Sequence, residues 1–185
     1  MGDALLITGR PGVGKTTLVK QLAGSFPGRA GGFLTEEVRK DGSRVGFGIV
    51  TLDGQRAVFA HVGWQQAAHR VGRYGVDVTV LDRVGVAAVR RALAEADLVV
   101  VDEIGKMELQ SEEFRRALEE VRRSPLPLVA TIMLGRHPWA ERFRRGPGLT
   151  EVVLNPSNRQ AVLEAALRWV QDRLSGRRSR PGPTG

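Results

Sequence analysis

Residues 9 to 16 read Gly9-Arg10-Pro11-Gly12-Val13-Gly14-Lys15-Thr16, a GxxxxGK[ST] spacing whose residue types point to one chemistry. Glycines let successive backbone N–H groups turn inward around an anion, and a helix starting at Lys15 would add the positive end of its dipole. The expected roles follow from the side chains. Lys15 meets the β- and γ-phosphates of a nucleotide and Thr16 offers a hydroxyl to Mg²⁺, while Thr17 closes the binding stretch. The plainer alternative is a glycine-rich turn capping an ordinary helix. An apolar run before the motif (Ala4 to Thr8) and a helical pattern after it favour the phosphate reading.

A second constellation is Val99-Val100-Val101-Asp102-Glu103, where two acids end an apolar run. Parallel strands bring their C-terminal ends to one edge, so Asp102 is expected at the Mg²⁺ water shell and Glu103 where a water would line up on a γ-phosphate. The competing reading makes both acids caps on a following helix. Thr131, in a later apolar run, fits either a polar contact to the attacking water or phosphate, or plain β-branched packing. Arg136, Arg142, Arg144 and Arg145 fit either an arginine-bearing lid or a solvated basic loop. Glu36 and Glu37 lie on a strand where alternation puts one of them beside Leu34 and Val38, and charge placed on an edge strand accounts for it. His61, His69 and His137 share no metal-ligand spacing, and Trp64, Trp139 and Trp169 read as packing.

The elements that must hold these residues are legible as alternating patterns. Strands are expected at Ala4 to Thr8, 32–39, 45–52, 56–61, 98–101, 126–133 and 151–154. The turns at Lys40-Asp41-Gly42 and Asp53-Gly54 make the early ones antiparallel hairpins. Helices are expected from Lys15 to about 23, from Asp82, from a Ser111 cap, and after Asn155-Pro156, with residues 24–32 as turn. One domain spans 1–174, and 175–185 is expected as a disordered basic tail.

The chain has 185 residues, 42% hydrophobic and 26% charged, the values of one globular α/β domain. Cysteine is absent, which removes disulfides, thiolate metal sites and cysteine nucleophiles. No apolar run approaches a membrane span, and Leu6 stands where a myristoylation signal needs Ser or Thr, so a cytoplasmic protein without a membrane partner is expected. The net charge is +8 and only four of the 28 basic residues are lysines. Those arginines are scattered and only 5% of residues are aromatic, so a nucleic-acid partner is disfavoured, though the charge leaves that alternative open.

GRPGVGKTT at 9–17, GFLTEEVR at 32–39, RVGFGIVTLDG at 44–54, VGRYGVD at 71–77 and VVVDEIGKMEL at 99–109 together resemble the small P-loop nucleoside triphosphatases typified by thermophile and human cancer-related members. The last segment is the most specific, because generic acidic strands do not continue Ile104-Gly105-Lys106-Met107-Glu108-Leu109. The resemblance implies an α/β P-loop fold with a RecA-like, mostly parallel sheet flanked by helices and extended at one edge by antiparallel hairpin strands. It implies slow Mg²⁺-dependent hydrolysis of ATP, GTP and other nucleoside triphosphates to diphosphate and phosphate. Arg10 stands where the family pattern would have proline, and Gln160 where it would have an acid. Lys15 and Glu103 are then the expected catalytic pair, Gly9 to Thr17 the nucleotide site, Thr16 and Asp102 the metal ligands, and the protein a monomer with broad base specificity. A nucleoside or nucleotide kinase, and a nucleotide-gated module on nucleic acid, are the alternatives.

Overall fold

The computed structural model describes residues 2–178. One nine-stranded sheet runs through the molecule, built from β1 (Ala4–Thr8), β2 (Ala30–Lys40), β3 (Ser43–Thr51), β4 (Arg56–His61), β5 (His69–Val71), β6 (Tyr74–Val76), β7 (Leu98–Ile104), β8 (Leu128–Ile132) and β9 (Leu149–Val153). Its spatial order is β5-β6-β4-β3-β2-β7-β8-β1-β9. The pairings β2–β7, β7–β8, β8–β1 and β1–β9 are parallel, and everything beyond β2 is antiparallel. The expected architecture is therefore present, with β8 inserted between the strand before the phosphate loop and the strand ending in Asp102, as in the RecA-like division.

The central parallel strands β1, β7 and β8 are apolar on both faces because both faces are covered. Ala4 and Leu6 face one core with Phe33, Phe114 and Leu118, while Leu5 and Ile7 face a second core with Leu18, Leu22, Leu163 and Val170. The helices divide accordingly. On the first face lie α3 (Ala87–Glu95), α4 (Glu112–Arg123) and α5 (Pro138–Arg144); on the second lie α1 (Lys15–Ser25) and α6 (Arg159–Arg178), and α2 (Val78–Val80) leads into α3 through a π-helical stretch, Leu81–Val86. None of the described helices is long and apolar enough to cross a membrane.

Several boundaries differ from the expected ones for local reasons. The helix expected from Asp82 begins at Val78, because Asp77 caps it by accepting the N–H groups of Thr79 and Val80. Ser111 caps α4 as expected, its hydroxyl accepting from Phe114 N at 2.9 Å. The Asn155 side chain closes a turn over Ser157 and Asn158 instead of starting the last helix, which begins at Arg159. The short strands β5 and β6 and the seven-residue α5 escape the sequence periodicity, being too brief to show a period. The tail expected from 175 is corrected at its start: α6 continues to Arg178, and positions 179–185 lie outside the described residues.

Candidate active site

Both acidic and glycine-rich segments end parallel strands, so the fold delivers them to one edge of the sheet. Between β1 and α1 the phosphate loop turns through Gly9, Gly12 and Gly14, all at positive φ, and Gly14 takes the N-cap position at φ 99°. That geometry needs glycine, and no side chain caps α1, so its N-terminal N–H groups stay available to an anion. Arg10, Pro11, Gly12 and Thr17 are exposed, while Gly9 is buried and Val13, Lys15 and Thr16 are half-buried. The ammonium of Lys15 donates to the Gly9 carbonyl at 3.1 Å and stands 3.7 Å from Glu103 Oε2.

Asp102 is fully buried, and four donors converge on its carboxylate. Thr16 Oγ1 reaches Oδ2 at 2.7 Å, Thr35 donates to the same oxygen from Oγ1 at 3.1 Å and from its backbone N at 3.4 Å, and Thr131 Oγ1 reaches Oδ1 at 2.5 Å. The strand itself explains how an acid ends there. Residues Val101 and Ile104 of β7 pair with Ala130 and Ile132, so three steps on β7 oppose two on β8. This bulge returns Ile104 to the same core as Val101 while Asp102 meets α1 and Glu103 looks toward the loop.

Thr16 and Asp102 thus offer adjacent hard oxygens, and among the described residues no group of three His, Cys, Asp or Glu forms a metal cage. A cation bound here would take its remaining ligands from phosphate and water, which suits Mg²⁺. Burial raises the Glu103 carboxyl above its usual range and the Asp102 charge adds to the effect, opposed by the Lys15 ammonium.

Thr131 does more than pack as a β-branched residue: its hydroxyl donates to Asp102. The role of Thr35 is not signalled by its motif, and only the strand path could have found it. Beyond Phe33 the strand β2 leaves β7 and pairs with β3 alone, which frees the Thr35 N–H and hydroxyl to meet Asp102. Glu36 and Glu37 form exposed pairs with Arg56, and with Arg39 and Arg44, on that one-sided stretch. The arginine cluster divides. Arg136 is exposed just beyond the end of β8, while Arg144 is held by the Met133 carbonyl, Glu141 and Glu151, and Arg142 sits with Arg122, Phe143 and Pro147 near the opposite edge. Arg159 lies over the phosphate loop, donating to the Val13 carbonyl at 2.8 Å, and Gln160 spends its amide on Glu164 within α6.

A family model described as NTPase matches residues 4–167. The nucleoside-triphosphatase THEP1 of Thermotoga sp. (strain RQ2) is 44% identical over 163 residues, covering 88% of this chain and 92% of that one. The THEP1 of Methanocaldococcus jannaschii is 40% identical over 170 residues, covering 90% and 96%. Among solved structures, the crystal structure of THEP1 from Aquifex aeolicus superposes with a TM-score of 0.83 at 39% identity, covering 91% of this chain and 99% of that one. The solution structure of a human cancer-related nucleoside triphosphatase gives 0.77 at 32% identity, covering 97% and 100%. With the family model matching residues 4–167 and these relatives covering most of both chains, the chain belongs to this NTPase family of nucleoside-triphosphate-hydrolysing enzymes.

Proposed function

We propose that this chain hydrolyses nucleoside triphosphates to the diphosphate and phosphate in a Mg²⁺-dependent reaction with little regard for the base. The observation that carries the reading is the 2.7 Å contact between Thr16 of the loop and Asp102 of the acidic strand, which makes one site of two motifs 86 residues apart. In this reading the N–H groups of the loop and of α1 bind the phosphates, and Lys15 exchanges its contact with Gly9 for the β- and γ-oxygens. Thr16 and Asp102 hold Mg²⁺, which when bound neutralises charge developing on the phosphates. Thr35 and Thr131 keep the Asp102 carboxylate in one orientation. Glu103, half-buried and beside Lys15, orients a water and accepts its proton. The groups converging on the site all address phosphate, metal or water, and phosphate contacts carry no base information.

Phosphate release from ATP, GTP, CTP and UTP, with and without Mg²⁺ and with nucleosides or monophosphates as acceptors, tests this. Release is expected to require Mg²⁺ and to differ among bases by less than ~100-fold, which is about 2.8 kcal/mol. Transfer of labelled phosphate to an acceptor faster than to water would replace the reading by a kinase.

A further inference from the structure

Past Asp102 and Glu103 the chain folds back on itself. Leu109 N donates to the Gly105 carbonyl at 3.0 Å and Ser111 N to the Glu108 carbonyl at 3.1 Å, closing a 3₁₀ turn, Glu108–Gln110, over the end of β7. This turn puts a carboxylic side chain, Glu108, at 5% exposure, with no ion pair among the described residues. A buried acid is costly where Met or Leu would pack as well, so its presence asks for a role. Its position supplies one. Gly105 is buried between the two glutamates, and a Cβ there would meet Glu108 Oε2 at 2.8 Å and Glu103 Oε1 at 3.0 Å. Both oxygens therefore border one small space that exists only because residue 105 has no side chain.

We infer that Glu108 is a positioning residue whose carboxyl group hydrogen-bonds to Glu103 through one water in the space left by Gly105, and fixes the orientation of Glu103 toward the lytic water. The inference rests on Glu103 acting as proposed above. A water has two donors and can give one to each carboxylate, so a single water in this space can tie the two side chains together. The bridge leaves the Glu103 Oε2 edge to Lys15 and the loop, at 3.7 Å from the ammonium.

The experiment compares Glu108→Gln and Glu108→Met with Glu103→Gln and Gly105→Ala, measuring melting temperature, nucleotide affinity and single-turnover hydrolysis. Glutamine keeps an acceptor oxygen at the same length and should retain turnover within about threefold. Methionine keeps volume and relieves the buried acid, so it should fold and bind nucleotide as the parent does while hydrolysis falls by tenfold or more. Gly105→Ala should lower turnover in the same direction by filling the shared space. Methionine hydrolysing within threefold of the parent, or glutamine losing as much as methionine, overturns the inference. If Glu103→Gln itself hydrolyses like the parent, the assignment of Glu103 fails first, and the two failures are thereby distinguished.

Discussion

Lys15 and Glu103 face each other across 3.7 Å, yet substitutions at the two should fail in different ways. In the proposed reading Lys15→Ala deletes a charge that would meet the β- and γ-phosphates in both ground and transition states, so nucleotide affinity itself should fall. Glu103→Gln keeps length and hydrogen bonding and removes only the carboxylate, so affinity for nucleotide with Mg²⁺ should stay near the parent's while turnover drops roughly 10²-fold or more. Equilibrium binding and single-turnover hydrolysis at equal Mg²⁺ separate the two. A Glu103→Gln enzyme turning over within a few-fold of the parent would make Glu103 a strand-end acid without a chemical role. The loop and the acidic pair were legible in the sequence because each couples a fixed spacing to a strand edge. Thr35 was not, since its contact with Asp102 at 3.1 Å spans 67 residues and depends on where β2 parts from β7.

At the scale of elements, periodicity identified the long buried strands and the main helices, and missed what is short or set by tertiary contact. The bulge in β7 is such a feature: nothing in Val-Val-Val-Asp-Glu-Ile announces an extra residue, and pairing with β8 alone reveals it. The helix α5 is another, a seven-residue segment begun by Pro138 and a His137 side chain that accepts from Trp139 N at 3.3 Å. Its formation decides which arginines can serve as a lid. Arg144 is bound to the Met133 carbonyl, to Glu141 at 3.2 Å and to Glu151 at 3.3 Å, with a side chain only 14% exposed, so it fastens α5 to the end of β8 and to the middle of β9. Arg144→Ala should therefore destabilise the fold by about 1–3 kcal/mol, whereas Arg136→Ala, on an exposed position beyond β8, should leave the melting temperature unchanged. Thermal unfolding of both variants checks this, and equal stability of the two would mean that Arg144 holds nothing together.

Across the whole molecule, the parallel strands β1, β7 and β8 are buried between helices on both faces, and the antiparallel strands from β3 to β5 project the sheet away from the phosphate loop. The net charge is +8, from arginines scattered along the sequence from Arg10 to Arg180. Many arginines are tied to nearby acids: Arg29 to Glu95, Arg56 to Glu36, Arg90 to Glu113 and Glu120, Arg91 to Asp53, Arg116 to Glu112 and Glu113. A cation already facing a carboxylate releases fewer counterions on meeting a phosphate backbone, so these arginines add little to affinity for a polyanion. Aromatic platforms are also sparse, and Trp139 is buried in stacking with Phe143, its ring centroid 4.8 Å away, which leaves it unable to receive a base. Single-stranded RNA should consequently leave nucleoside-triphosphate hydrolysis unchanged within about threefold, even at low salt. The measurement is phosphate release with and without RNA at two ionic strengths. Stimulation well above threefold that vanishes at high salt would reveal a basic surface acting on turnover, and would turn the enzyme from a free-standing hydrolase into one gated by nucleic acid.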